Sequence, residues 1–425
     1  MTAVTSFDAA PPVDAPPARP ANGVVFNGVE GAFWRLLSRG AVLLLVTLGV
    51  YRFWLQTDVR RFLWNNTEIA GENLEYIGTA RELLLGFLVA IVFLAPLYAI
   101  FGLASLATEW VQQLAGLFSL VALAVLGQFA VYRARRYRLS RTIYRGIRFH
   151  QTGSAWRYAV CAIFWWGMIG MTLGLAYPWA QASLERFKIR NTYYGDLRGE
   201  FAGSGTRLFF RGVLLWFVVV APFVLSQIVA GAMFDGNLAG EAAKQGTRSG
   251  ASALDAAGTG PAVAASILGT LWLVIAVAVL YPAFQAMVLR WWISGLRFGE
   301  LTATSHLRTG TIYGLYWRFV WMSLVLAAVV GVVGFFAVKT VFSAADGQRL
   351  PFGVVEISLA IAFYVVTALA YSTIYQATVK LPFWRHGFES VELKNVEVLD
   401  RVRAAPATGS PVGEGFADAL HVGGI

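Results

Sequence analysis

The chain has 425 residues, 57% of them hydrophobic and 14% charged, with a net charge of +10 and a mean hydropathy of +0.60. Soluble domains carry roughly 25% charged residues, so this composition excludes a soluble globular protein and points to a polytopic membrane protein. The single cysteine, Cys161, excludes a disulfide framework and a thiolate metal cluster. His150, His306, His386 and His421 have no metal-ligand spacing. Lys and Arg held in cytoplasmic loops account for the positive charge better than nucleic-acid binding does.

Residues 1–22, with five prolines and no apolar core, read as a disordered tail and lack the pattern of a signal peptide, and residues 405–425 read as a second tail. Between them, residues 23–404 form the expected membrane domain. A bilayer core about 30 Å thick needs roughly 20 apolar residues in a helix. Eight runs come near that length: Phe33–Leu55, Leu83–Ala107, Val111–Tyr132, Trp156–Ala180, Leu208–Phe234, Ala262–Leu289, Ile312–Val338 and Val354–Val379. The first is the weakest, because Arg39 and Arg52 leave only a short apolar centre.

The connections are of two kinds. Thr108–Trp110 and the Gly/Ala-rich Asp235–Pro261 carry few charges, whereas Arg133–Arg157 holds eight arginines and no acid. Gln181–Arg211, Arg290–Arg318 and Lys380–Arg403 are basic as well. Such sorting puts the basic connections in the cytoplasm.

The chain also repeats itself. Thr47–Leu83 and Thr172–Leu208 are identical at 12 of 37 positions without a gap, including Gly49/Gly174, Trp54/Trp179, Arg61/Arg186, Thr67/Thr192 and Gly78/Gly203. An offset of 75 matches Arg60, Arg61, Thr67, Gly71 and Gly78 with Arg135, Arg136, Thr142, Gly146 and Gly153. Recurrence at this scale implies one structural unit used several times, in approximate divisions 23–132, 133–261 and 262–404. The unit reads as a membrane helix, an Arg-bearing extension, a polar hairpin, then the next helix. In the first copy Thr67–Ile69 and Leu74–Tyr76 are expected to pair around a turn. Asn65–Gly78, Arg141–Gly153 and Thr192–Gly203 are the expected hairpin cassettes, with Phe26–Gly28 a lone strand and Ser390–Val398 a closing one. Isolated hairpins are marginal in water, so these should pack together over the membrane face. The expected fold is a membrane all-α bundle with small extramembrane β-hairpins and about eight hydrophobic helical segments.

The stretches "TLGVYRFW…RRFLWNNT", "YRGIRFHQTGSAWRYA" and "TLGLAYPWA…ERF…NT" resemble the YjgN-like family, bacterial inner-membrane proteins with a domain of unknown function. The resemblance covers about Val24 to Arg403. Gly295 stands where the family pattern has Asn, and Asp235–Pro261 is an insertion. The resemblance implies a multi-pass inner-membrane protein without an established activity. It also implies a membrane zinc peptidase as a possible partner.

No Walker loop, GxGxxG, HExxH, CxxC or GxSxG motif is present, and no catalytic residue, metal or cofactor is expected. Ala202–Thr206 looks like a small phosphate loop but lacks its lysine, and reads as a turn. Ionisable groups inside apolar runs are the usual functional pointers in membranes; here Arg39, Arg318 and Glu356 qualify, against a competing reading as snorkelling or ion-paired groups. A transporter- or channel-like protein fits the repeats and the Gly- and Pro-broken runs. The alternative is a non-catalytic scaffold or regulator that grips anionic lipid headgroups, or a peptidase partner, through its basic hairpin layer. Two topologies compete. If Phe33–Leu55 and Trp156–Ala180 each cross, the chain forms inverted units with eight arginines on the wrong side. If both dip in and return at Thr-Leu-Gly, six crossings remain and every basic cassette is cytoplasmic. The second is the expectation taken forward.

Overall fold

The computed structural model describes residues 23–104, 106–245, 259–344 and 354–404. The two tail expectations and the centre of the 235–261 insertion lie outside these. From the start, the chain runs through β1 (Val24–Phe26), α1 (Glu30–Val46), α2 (Arg52–Asn65), β2 (Thr67–Ile69), β3 (Glu72–Asn73) and β4 (Glu75–Tyr76). Next come α3 (Ala80–Ala104), α4 (Glu109–Ser140), β5 (Thr142–Tyr144), β6 (Ile147–Gln151), α5 (Ala155–Met171) and α6 (Tyr177–Arg190). Then follow β7 (Thr192–Tyr194), β8 (Leu197–Phe201), α7 (Gly205–Gln245), α8 (Thr259–Gly295), β9 (Leu296–Phe298) and β10 (Leu301–Ser305). The last elements are α9 (Thr309–Ala344), α10 (Val354–Tyr375), a π-helical turn (Gln376–Lys380), α11 (Leu381–Glu389), β11 (Val391–Lys394) and a 3₁₀ segment (Val396–Arg401).

Among the described residues, six helices are long and apolar enough to cross a membrane: Ala80–Ala104, Glu109–Ser140, Gly205–Met233, Pro261–Gly295, Thr309–Ala337 and Ile357–Glu389. Their outer faces carry exposed Leu, Val, Ile and Phe, as suits helices bathed in lipid. The protein is a multi-pass membrane protein.

The first and fourth of the eight runs turn back where the second topology placed the return. Neither is one continuous helix; each is two helices reversed at Thr-Leu-Gly. Thr47 Oγ1 donates to the Leu43 carbonyl at 2.7 Å and accepts the Tyr51 N–H at 3.0 Å. Thr172 repeats this with Met168 and Ala176, at 2.7 and 3.0 Å. The next two residues are left-handed: φ is +49° and +90° at Leu48 and Gly49, and +50° and +95° at Leu173 and Gly174. Glycine serves there because that φ is costly for any residue with a Cβ. Close packing is not the reason, because nothing lies within 4 Å of a Cβ built on Gly49. At about 1.5 Å per residue, the 17 residues of α1 and of α5 give helices near 25 Å long.

The strands join into one ring. Antiparallel pairs run β1–β2, β2–β3, β4–β5 and so on in order to β10–β11. β3 and β4 are one strand interrupted at Leu74, whose N–H still reaches the Thr67 carbonyl at 2.9 Å. A bridge between Gly23 and Glu392 joins β1 to β11 and closes the circle. Closure leaves no long unpaired edge. The expected Thr67–Ile69 pairing with Leu74–Tyr76 is corrected accordingly: β2 pairs with Glu72–Asn73, and Glu75–Tyr76 turns to β5.

Each pair joined across the ring brackets one helical hairpin. β1 and β2 flank α1–α2, β4 and β5 flank α3–α4, and β6 and β7 flank α5–α6. β8 and β9 flank α7–α8, and β10 and β11 flank α9–α11. Both ends of every hairpin therefore lie at one level, in the ring. Neighbouring hairpins touch through α2–α3, α4–α5, α6–α7 and α8–α9, and α10 touches α1 to complete the circuit. Three of the five hairpins are long; α1–α2 and α5–α6 are short.

Candidate functional site

The ring is held by one bond at constant spacing. The guanidinium of Arg61 donates to the Gly78 carbonyl seventeen residues on, at 3.1 Å. Arg136 does the same to Gly153, Arg186 to Gly203 at 3.4 Å, and Arg290 to Leu307 at 3.3 Å, always across seventeen residues. Arg385 makes the equivalent bond to Gly28 at 3.1 Å, joining the last helix to the first strand. A second set links neighbouring units. The N–H groups of Asn27, Ile77, Thr152, Ala202 and His306 donate to the carbonyls of Asn66, Arg141, Asn191, Gly295 and Ser390, at 2.8 to 3.0 Å. Gly295, which departs from the Asn pattern, still supplies its carbonyl. Thr67, Thr142 and Thr192 close their helices by donating to the carbonyls of Leu63, Arg138 and Lys188.

Because each of these arginines sits at the same helical phase, the residues two positions later face the same way on all five helices. These are Leu63, Arg138, Lys188, Trp292 and Gly387, and all five line a cavity of about 900 Å³. The chamber lies between the ring-proximal ends of α2, α4, α6, α8 and α11 and extends into the strand ring, where Tyr144, Phe149, Tyr194, Phe298 and Leu393 face it. The residue before each stapling arginine is Arg60, Arg135, Glu185, Leu289 or Trp384. Of these, Arg135, Leu289 and Trp384 reach the chamber.

The lining is mostly apolar, with Arg135, Arg138, Lys188 and Lys380 as its charged members and no Asp or Glu. The nearest carboxylate is Glu185. It pairs with Lys188 and accepts from Trp292 Nε1 at 2.9 Å. Burial alone would push the Glu185 carboxyl up. Lys188 and Arg135, with the hydrogen bonds from Lys188 and Trp292, outweigh burial and hold it below the ordinary carboxylate value. Burial lowers the Lys188 ammonium; Glu185 opposes this, while Arg135 and Arg138 add to it. Arg135 Nε is buried and has no hydrogen-bond partner. Lys380 ends the π-helical turn and lies 5.8 Å from the Tyr375 ring centre.

The C-terminal 3₁₀ segment lies against the strand ring. Leu399 packs on Leu74, Tyr144 and Tyr194, which come from three different units. Asp400 pairs with Arg145, and the Arg403 N–H donates to Asp196 Oδ1 at 3.0 Å.

Among the described residues, the structure does not bring the expected intramembrane groups of Arg39 and Arg318 together. Arg39 is exposed on α1. Arg318 pairs with Glu30 at 3.3 Å, and Arg385 reaches the same carboxylate at 3.4 Å, which is the ion-paired alternative. The Glu356 side chain lies outside the described residues. The repeat-motif residues are structural: Gly49 and Gly174 reverse helices, Arg61 and Arg186 staple, and Gly78, Gly153 and Gly203 accept. Gly146 turns its hairpin with φ +73°. Trp54 stacks on Tyr51 and Trp179 leans on Phe209. At Ala202–Thr206, Ser204 opens α7, its hydroxyl accepting the Arg207 N–H at 3.5 Å. The chamber cations escape a reading of the sequence because each lies at the end of an apolar run, where interfacial arginines are ordinary. The available signal was Glu185 with Lys188, an acid set one position before the recurrent Arg186.

Neither curated proteins nor solved structures include a match to this chain. A family model described as "Bacterial protein of unknown function (DUF898)" matches residues 21–257, more than half of the chain. That span contains the first stapling arginines, their glycine acceptors and both Thr-Leu-Gly reversals, and the chain belongs to this bacterial family of unknown function.

Proposed function

We propose that this protein is a transporter- or channel-like protein of the bacterial inner membrane, built from five copies of one helical-hairpin unit around a ligand chamber. The observation that carries the reading is the cavity of about 900 Å³ on the axis of the five helices, mostly apolar and lined by four cations. Cavities of this size, with a few convergent polar groups, are the usual form of a small-molecule site. In this reading the three long hairpins supply six crossings. α1–α2 and α5–α6 are re-entrant. Their reversal tips support this, because Leu48 is 95% exposed and Met171 84% exposed, as suits residues that end in lipid. At both reversals the backbone N–H groups of residues 47–52 and 172–177 all find partners within the turn, as lipid requires. All five strand units then lie on the cytoplasmic side, in keeping with their arginines.

Two experiments test this. In a Cys161→Ser background, Asn73→Cys, Arg148→Cys, Arg198→Cys and Glu300→Cys occupy exposed positions in four units. An impermeant thiol reagent added to whole cells should label none of them, while Leu106→Cys, between α3 and α4, should label. Labelling of the first two alone would restore the inverted arrangement. For the chamber, Leu289→Cys in the reconstituted protein should react with a small water-soluble thiol reagent. A Leu289→Cys that stays unreactive from both sides until unfolding would mean a dry core, and the transport reading fails.

A further inference from the structure

We propose that the chamber binds an anionic amphiphile, a molecule with one compact phosphate- or carboxylate-type head and an apolar chain. The proposal rests on the chamber reading above and adds the class of ligand. Four features of the site carry it.

The first is sign: among the described residues the wall has four cationic side chains and no acid. Glu185 answers Lys188 from behind the wall, but a neutral or cationic ligand would add no countercharge to a lining that holds cations alone, and uncompensated buried charge is costly. The second is an orphan donor. Arg135 Nε is buried without a hydrogen-bond partner, and buried donors in native proteins are nearly always satisfied. Glu185 does not satisfy it, being engaged by Lys188 and Trp292. An anion's oxygens would.

The third is the uneven distribution of chemistry round the ring. α4 and α6, neighbours in the circuit, bring Arg135, Arg138 and Lys188. α8 and α11, on the next stretch of the circuit, bring Leu289, Trp292, Trp384 and Phe388 to the same cavity. The α4–α6 side, with three of the four cations, suits a head, and the α8–α11 side, Lys380 apart, suits an aliphatic chain. A free inorganic anion would use only the first. The fourth is local geometry. The π-helical turn that ends at Lys380 interrupts an otherwise continuous α10–α11 rod. Such turns recur at functional sites because they re-aim side chains; here the turn ends on a cation that lines the chamber.

The test uses the full-length protein in nanodiscs of phosphatidylcholine, with quenching of intrinsic tryptophan fluorescence as the readout, since Trp64, Trp292 and Trp384 line the cavity. The probes are dodecyl phosphate, dodecanol and inorganic phosphate. Dodecyl phosphate should quench saturably and bind at least tenfold tighter than either of the others. Arg135→Gln and Lys380→Gln should each weaken it about tenfold, whereas Arg148→Gln, exposed on β6 and outside the lining, should bind as the wild type does. Lys380→Gln breaks no ion pair among the described residues, so it keeps the test usable if Arg135→Gln does not fold. Equal binding of dodecanol would overturn the head requirement. Equal binding of inorganic phosphate would overturn the chain requirement. Unchanged affinity in Lys380→Gln and in any folded Arg135→Gln would overturn the site. If dodecyl phosphate does not bind while Leu289→Cys reacts, the ligand class falls and the chamber reading survives.

Discussion

Arg385→Ala cuts the ring at its seam, and its cost follows from three interactions of the guanidinium, a fourth, the exposed i,i+4 pair with Glu389 at 3.7 Å, adding little. It donates to the Gly28 carbonyl at 3.1 Å, and a hydrogen bond with one charged partner is worth about 1.5–3 kcal/mol. Its pairing with Glu30, at 3.4 Å and with both side chains about a third exposed, adds at most about 0.5 kcal/mol after screening. Its position 5.7 Å from the Phe26 ring adds about 0.5 kcal/mol. The expected loss is about 3 kcal/mol. The assay is reversible unfolding in mixed micelles, combined with amide exchange. Stability should fall by that amount, and protection should be lost first at Val24–Phe26 and at Asn27, whose N–H crosses to Asn66. Arg385→Lys should recover less than half, because an ammonium cannot reach Gly28 and Glu30 with a fixed fork. Arg61→Ala, which removes an equivalent staple inside the chain, should cost a similar amount without exposing β1. If Arg385→Ala stays within about 0.5 kcal/mol of wild type, or if it loosens all strands evenly, closure across the termini is not what holds β1.

Three further outcomes rest on neighbouring parts of the frame. Gly49→Leu should cost about 1–2 kcal/mol through its left-handed backbone, and Gly174→Leu more, because beyond a Cβ already in contact with Trp216 the leucine's outer atoms would crowd that ring and its bond to the Leu173 carbonyl; chemical unfolding in micelles should rank them so, with Gly49→Asn close to wild type. Glu185 has a native pKa below its unfolded value, so its contribution is complete above about pH 4.3 and is lost as pH falls through the native value. Thermal midpoints should therefore drop below pH 4–5 in the wild type. Glu185→Gln should lack that drop and be weaker at neutral pH by about 3 kcal/mol, since Lys188 keeps a buried charge without its partner. Leu399→Ala should cost about 2–3 kcal/mol of local docking, seen as faster exchange across Val396–Arg401 while the rest of the ring keeps its protection.

Some of this was legible in the sequence. The offset-125 identities fall on the residues that reverse, staple and cap, so Thr47–Gly49, Arg61, Thr67 and Gly78 carried a structural message. The strands after Thr142 and Thr192 were legible too, because alternating residues around Arg-Gly and Gly-Asp turns leave few other choices. The staple of the fifth unit was not, although strands were expected at Phe26–Gly28 and Ser390–Val398. Its arginine, Arg385, and its acceptor, Gly28, stand at opposite ends of the chain, and no repeat search in chain order would join them. The fourth was obscured for another reason: the acceptor is a backbone carbonyl, which Leu307 supplies as well as glycine does. The site was hidden for a third reason. Depth within an apolar run is the usual mark of a functional charge, and that criterion singles out Arg39 and Arg318. Distance from the axis is what counts, and it depends on helical phase relative to the staple, which becomes visible once the staple is known.

The staples also explain how a near-fivefold frame can hold a lopsided site. Every recurrent bond ends on a backbone carbonyl, so the frame constrains one arginine per unit and leaves the inward positions free. Five identical subunits would repeat any lining residue five times around the axis. One chain carrying five units need not, and its inward position two residues after the staple is Leu63, Arg138, Lys188, Trp292 or Gly387 in turn. The helices are uneven in the same way. α1–α2 and α5–α6 are far shorter than the other three hairpins, so the wall around the axis is lower at two sectors. α6 is part of one of these low sectors and also bears Lys188 and Glu185. An amphiphile held by its head at Lys188 and Arg135 would therefore have lipid, not a second layer of protein, beyond the reversal tip at Gly174. The cationic side of the chamber borders one of the two low sectors of its wall through Lys188 on α6, and a ligand drawn from the bilayer needs that adjacency.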